Sequence, residues 1–420
     1  MTVPAARSHT EANLRAELRP PNERAPRAGI PRGIARQGPA ILSYGFRPFF
    51  LGAGVWAMLA MILWTGAIAA GWPIGGAYGA IHWHAHEMLF GYAGAALAGF
   101  MLTAIPNWTG RLPVSGAPLL VLVLLWLAGR LALLAPTEAA LWPAISVDLA
   151  FFPLLAAIAA REIGAGHNWK NLHVVAGLGL LTIANAWFHW AVIGGGDTGP
   201  AYRLAIAVWL LLISLIGGRL AVSFTRNWLA RQGDAKLPAS FGRFDRMVLL
   251  VGLGAFGLWI AIPESLWTGV LAGTAAILHA LRLLRWRGLA AWREPLVLVL
   301  HAAYGFLPLG LAAISAAAFG LIGPVTGLHV LTVGAIGTMT LAVMTRATRG
   351  HTGNPLAASP VTTLAYSALI AAAILRFAVD FAPDAYLTVL TTSALLWLLA
   401  FGLFLAEYGP MLIRPRRQGR

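Results

Sequence analysis

The chain has 420 residues, of which 59% are hydrophobic and only 11% are charged. Soluble domains have a charged fraction of about a quarter, so this composition excludes an ordinary soluble protein and indicates an integral membrane protein. Cysteine is absent, which excludes disulfides, thiolate zinc sites, iron–sulfur clusters and c-type haem attachment. A bound metal would therefore need His, Met or carboxylate ligands.

The formal net charge of +15 comes mostly from Arg residues dispersed between apolar segments, so we predict no nucleic-acid partner.

The apolar segments predict an all-α, polytopic membrane bundle. Residues 1–45 are rich in Arg and Pro and are predicted to be a disordered cytoplasmic tail, 46–410 a single transmembrane domain, and 411–420 a basic cytoplasmic tail. Hydropathy predicts about twelve membrane-spanning segments, and they must be helices because lipid cannot satisfy backbone hydrogen bonds. They are 48–70, 83–105, 117–135, 142–161, 171–193, 203–224, 246–262, 267–284, 295–319, 326–345, 360–379 and 385–407.

The charges of the loops predict the orientation of these helices. The loops after every second segment contain Arg and Lys, whereas the alternate loops contain mainly acidic residues, namely Glu138, Asp197, Glu264, Asp380 and Asp384. Basic loops remain on the cytoplasmic side of a membrane. We therefore expect both termini to be cytoplasmic.

Histidines are concentrated at the outer start of the second segment, in the run His82-Trp83-His84-Ala85-His86-Glu87. Ionisable residues within a membrane are costly and therefore indicate function. On a regular helix His82 and His86 share one face, whereas His84 lies about 200° around the axis from His82, so one helix cannot direct all three imidazoles at one ion. Either this segment is irregular and wraps a metal, or His84 and His86 contact different partners. Glu87 is a candidate proton relay, metal ligand or partner that orients an imidazole.

The topology brings further histidines to the same depth. His189 ends the fifth segment and His329 begins the tenth, so we predict that His84, His86, His189 and His329 bind metal near the outer surface. Imidazole suits copper, iron and zinc, and two facing imidazoles can ligate haem. The alternative is that these histidines make hydrogen bonds between helices. His82 is a secondary candidate ligand.

Other polar residues carry further predictions. His301 and His351 form a second candidate metal group towards the cytoplasm, with His279 as a secondary candidate, and polar contacts at helix ends are the alternative. Asn185 lies one turn before His189 and is predicted to orient it. Arg47 and Arg111 are candidates to pair with haem propionates or anionic lipid. Arg130 and Asp148 are predicted to form a structural ion pair.

Four segments closely resemble the NnrS family: FRPFFLGAG (46–54), WHAHEMLFGYAGAALAGFMLTAIPNWTG (83–110), GGRLAVSFTRNWL (217–229) and HVLTVGAIGTMTLAVMTRATRGHTG (329–353). The resemblance implies a bacterial inner-membrane protein with haem b and copper that acts in nitric-oxide metabolism, denitrification and nitrosative stress. It also implies functional roles for the positions that match the family's motifs. These are His84, His86, Glu87, Asn185, His189, His301, His329 and His351.

The chain departs from the family pattern at 347–349 and at Asn354, which makes any propionate or partner contact there uncertain. We therefore hypothesise a haem and copper protein that binds or processes nitric oxide or iron–nitrosyl products, with an unidentified electron donor if it is an enzyme. One alternative is a transporter of a metal, anion or haem-related ligand that uses the two histidine groups in turn. Another is a non-catalytic metal sensor or assembly factor.

Overall fold

A computed structural model describes residues 38–417, and this part of the chain is helical with no strand. All the predicted helices are present, so the expectation of an all-α polytopic bundle is confirmed. We number them α1 to α12: Phe46–Ala70, Ala80–Thr109, Ala117–Ala132, Glu138–Ala165, Trp169–Ile193, Gly199–Arg231, Arg243–Ala261, Leu266–Leu284, Pro295–Ala318, Pro324–Thr352, Pro360–Phe381 and Pro383–Ile413. The predicted orientation of the termini stays a prediction. Most of the predicted N-terminal tail lies outside the described residues.

Eleven of these helices are long and apolar enough to cross a membrane, and α3 is the exception. Its 16 residues span about 24 Å at a rise of 1.5 Å per residue, which is less than the hydrocarbon thickness of about 30 Å. The predicted segment 117–135 was therefore slightly too long.

Helix α2 lies at the centre of the bundle, because 89% of its most apolar window is buried against 39% for α1. Small residues allow this close packing. A Cβ atom on Gly99 would lie 2.6 Å from the Phe50 ring, and a Cβ atom on Gly91 would lie 2.6 Å from both the Arg130 guanidinium and the Glu87 carboxylate. These glycines of α2 thus make room for a buried ion pair as well as for a neighbouring helix.

Three of the central helices contain a π-helical segment, and these segments recur every fourth helix. They are Glu87–Tyr92 in α2, Ile213–Gly217 in α6 and Val330–Gly337 in α10. The connections from α3 to α4, α7 to α8 and α11 to α12 also share a Pro closely followed by an acidic residue, at or just before the start of the next helix. The chain thus has a period of four helices that hydropathy alone did not indicate. Because π segments are often found at functional sites, it matters that His86 directly precedes the first and His329 the last.

The loop between α1 and α2 is shaped by glycines and fixes Tyr78. Gly75, Gly76 and Gly79 all have positive φ angles, of 78°, 48° and 80°, which glycine adopts without strain. The Gly75 N–H donates to a backbone carbonyl in the loop after α3 at 2.8 Å. Tyr78 is consequently only 1% exposed, with its hydroxyl directed into the bundle.

Candidate metal centre

Helices α2, α4 and α5 bring together His86, Asp148 and His189, which we call the His/Asp group. The Nε2 atoms of His86 and His189 lie 3.2 and 3.0 Å from Asp148 Oδ2. The three side chains are at most 2% exposed, and their ligand atoms lie within 4.8 Å of one another. Among residues 38–417 it is the one group of three or more His, Asp or Glu residues whose ligand atoms lie this close together.

Each imidazole of the His/Asp group is oriented through its other ring nitrogen. His86 Nδ1 lies 3.0 Å from Glu87 Oε1, and because a carboxylate only accepts, this nitrogen carries a hydrogen. His189 Nδ1 lies 3.0 Å from the Tyr78 hydroxyl. Metal-binding histidines are usually held in this way, with the second nitrogen bonded to a carboxylate or another polar group.

His86 Nε2 faces two oxygen atoms that are acceptors. Asp148 Oδ2 is one, and Asn185 Oδ1, at 2.9 Å, is the other. The amide nitrogen of Asn185 donates to Asp148 Oδ2 at 2.8 Å, which fixes the amide in this orientation. A neutral imidazole with its hydrogen on Nδ1 has a lone pair at Nε2, so three acceptors converge. The arrangement requires either a second proton on His86 or a cation between these atoms.

The charges around the His/Asp group favour one further positive charge, carried either by a second proton on His86 or by a bound cation. Arg130 Nη1 donates to both oxygens of Glu87, at 2.9 and 2.8 Å, and Arg130 also pairs with Asp148. The predicted Arg130–Asp148 ion pair is therefore present. Two carboxylates and one guanidinium leave a net charge of −1 when the imidazoles are neutral, and a buried negative charge is costly unless it is compensated. Trp56 also donates to Glu87, at 2.7 Å, so Glu87 is fully engaged as an orienting residue.

The donor set fits a copper or zinc ion. Atoms that share one metal at bond lengths of about 2.0 Å lie roughly 3.3 Å apart in a tetrahedron, close to the separations found here. Two imidazoles with a carboxylate suit zinc or copper, and copper generally binds such sites more tightly. Asn185 contacts His86 and Asp148, whereas the sequence predicted that it would orient His189.

The predicted set of four outer histidines does not meet at one point. The His84 ring stacks on Trp64, with ring centroids 4.3 Å apart, and His329 Nδ1 donates to the backbone carbonyl of Val325 at 2.9 Å. His84 and His86 thus contact different partners, which is the second of the two alternatives derived from the sequence. His82 makes edge contacts with Tyr78 and a phenylalanine ring.

The predicted cytoplasmic group is also dispersed. His279 Nδ1 is bonded to the Tyr304 hydroxyl at 2.7 Å, and His301 Nε2 is bonded to Thr225 at 2.7 Å. His351 packs against the rings of Tyr44 and Phe46. Within the described residues these imidazoles do not form a common set of ligands.

The two arginines predicted to pair with propionates have partners within the protein. Arg47 donates to backbone carbonyls at the end of α12, including that of Leu412 at 2.9 Å. Arg111 Nε donates to Glu162 at 2.5 Å. Sequence reasoning missed Tyr78 and the position of Asp148 between the two imidazoles, although the depth of Asp148 along α4 was a usable signal.

Comparison with known proteins identifies a family for this chain. No curated protein matches it. A family model described as NnrS protein matches residues 40–416, a range that contains the whole His/Asp group. Because this match covers almost the entire chain, the protein belongs to the NnrS family.

Proposed function

We propose that this protein is a haem b and copper protein of the bacterial cytoplasmic membrane that binds or processes nitric oxide or iron–nitrosyl products. Membership of the NnrS family supports the proposal. The observation that carries it is the His/Asp group, in which buried imidazole and carboxylate atoms converge with an uncompensated negative charge.

The residues of the His/Asp group would hold copper. Glu87 and the Tyr78 hydroxyl keep the Nε2 atoms of His86 and His189 directed inward. Arg130 offsets one of the two carboxylate charges, so that a monovalent ion would neutralise the remaining charge of −1. Reduced copper, when bound, supplies a coordination position for a small neutral gas. The burial of the group suits such a ligand, because nitric oxide reaches it through lipid and apolar side chains without an aqueous channel.

Reduction of nitric oxide would require electrons and protons from outside the His/Asp group. Glu87 is engaged by Arg130, Trp56 and His86, so it is poorly suited to relay protons. The proposal therefore assigns binding or processing at the metal and assigns no catalytic residue. A transporter would need ligands at successive depths, and the dispersed contacts of His279 and His301 do not favour this alternative.

Metal analysis of detergent-purified protein tests the proposal. We expect stoichiometric copper in the wild type, loss of copper in His86→Ala and Asp148→Asn, and retention in His82→Ala, which removes a histidine of the same helix outside the group. Titration with nitric oxide should change the absorption spectrum only in proteins that retain metal. Wild-type protein without copper after growth with ample copper, or equal copper in all variants, would contradict the assignment. Flux of a metal or anion into liposomes containing metal-free protein would instead support the transporter.

A further inference from the structure

A second cluster of polar side chains lies at the N-terminal ends of α2 and α10. His84 of α2 interacts electrostatically with His329 of α10, and both interact with Arg376 near the end of α11. None of these side chains contacts the His/Asp group through a hydrogen bond or ion pair in the described residues. The cluster is therefore a separate feature of the molecule.

The cluster contains polar atoms without a partner. His84 Nδ1 and Arg376 Nη1 are buried and make no hydrogen bond within residues 38–417. Asp380 accepts a hydrogen bond from Thr326 and also interacts electrostatically with Arg376 and His329, but it does not hydrogen-bond the buried Arg376 Nη1. A buried guanidinium nitrogen without a partner is costly, so these atoms indicate a ligand.

The chemistry of the three side chains restricts that ligand. His329 donates through Nδ1 to Val325, which leaves Nε2 with a lone pair for a metal. The positive charge of Arg376, which Asp380 offsets in part, lies beside the imidazoles and does not favour a bare cation. Two imidazoles are also too few for a closed zinc site, which has four ligands. Haem fits this set of side chains, since it needs two axial ligands and carries carboxylates that pair with arginine.

The backbone is compatible with a large planar group at this level. The C-terminal parts of α2 and α10, Ala93–Thr109 and Thr338–Thr352, pack against each other, whereas Ala80–His86 and Pro324–His329 have no comparable contact. The two helices therefore diverge towards the ends that carry His84 and His329. Trp64 of α1 stacks on His84 and holds the plane of its imidazole.

We propose that His84 and His329 are the axial ligands of one haem b and that Arg376 pairs with a propionate of this haem. This assignment rests on the haem part of the proposed function and is independent of the copper assignment. The haem would be six-coordinate and low-spin, because both axial positions are filled by imidazole.

Spectroscopy of single variants tests the axial ligands. We expect the wild type to show a low-spin bis-imidazole signal by electron paramagnetic resonance. His84→Ala and His329→Ala should lose this signal through loss of haem or conversion to high-spin haem, and added imidazole should restore it. His329→Met keeps an axial ligand in case the alanine variants fold poorly, and should raise the reduction potential of the haem. Arg376→Gln should keep the low-spin signal but lose haem faster to apomyoglobin.

Copper measured in the same samples separates the two proposals. His84→Ala should retain copper, and His86→Ala should retain the low-spin haem. A bis-imidazole signal that survives unchanged in both His84→Ala and His329→Ala would overturn the axial assignment alone. Wild-type protein that contains no haem after growth with ample haem would overturn the haem part of the proposed function as well.

Discussion

Removal of the Tyr78 hydroxyl is the most selective perturbation of the His/Asp group. In Tyr78→Phe the ring keeps its edge contacts with His86 and His189, and only the 3.0 Å contact with His189 Nδ1 is lost. Loss of a group that orients a metal-bound histidine typically weakens metal affinity by about 10–100-fold. This corresponds to about 1.4–2.8 kcal/mol. We therefore expect copper affinity to fall by this factor while all the ligand atoms remain.

Competition with a chelator of known copper affinity measures this effect. Tyr92→Phe is the matched control, because the Tyr92 hydroxyl makes a 2.5 Å bond to Thr340 and Tyr92 lies on α2, the helix of His86, but outside the His/Asp group. Both variants lose one buried hydrogen bond, with an expected cost of about 1–3 kcal/mol in unfolding free energy. Unchanged copper affinity in Tyr78→Phe, or an equal loss in Tyr92→Phe, would refute the argument that Tyr78 orients a ligand.

Three further substitutions test the packing around the helices. Arg130→Leu leaves both carboxylates near the His/Asp group without their cation, so thermal unfolding in detergent should show a loss of about 3–5 kcal/mol, and an unchanged melting temperature would contradict this. Gly252→Ala places a Cβ atom 2.9 Å from His279 Nε2 and should cost about 1–3 kcal/mol, whereas Gly257→Ala on the same helix meets nothing within 4 Å and should be neutral. Gly76 has a φ angle of 48°, and a Cβ atom added there would lie 2.3 Å from a backbone carbonyl oxygen. Gly76→Ala should therefore displace Tyr78 and weaken copper binding in the chelator assay. An affinity equal to that of the wild type would show that the loop does not fix Tyr78.

The fold was largely predictable because hydropathy depends on length and composition, which the sequence states directly. Helix ends were harder to place: the predicted tenth segment ended at residue 345, whereas α10 continues to Thr352, with Thr348, Arg349 and Thr352 buried inside the bundle. The predicted second segment began at residue 83, whereas α2 begins at Ala80. Periodic π segments were not predicted, because they depend on how neighbouring helices pack.

The sequence predicted the level in the membrane at which the residues of the candidate site lie, but not the side of the helix on which each of them lies. Topology correctly placed His86 and His189 at one level, but it carries no information on the rotation of a helix about its axis. The rotation separates His84 from His86, and it brings Asp148 towards both imidazoles as well as towards Arg130. The π segment Glu87–Tyr92 adds to this difficulty, because it shifts the faces of all residues that follow it.

The spacing of His84 and His86 predicts a coupling between the two proposed cofactors. Residues two positions apart face opposite sides of a helix, so copper bound at His86 and haem bound at His84 would be separated by α2, at a distance on the order of 10 Å. Two paramagnetic centres at such a distance relax each other. High-spin ferric haem is itself paramagnetic, so the comparison uses His84→Ala protein that has lost its haem and kept its copper. We therefore expect the oxidised copper signal to relax faster in wild-type protein than in this haem-free His84→Ala. Identical relaxation rates in the two proteins would show that the centres are not on opposite faces of one helix.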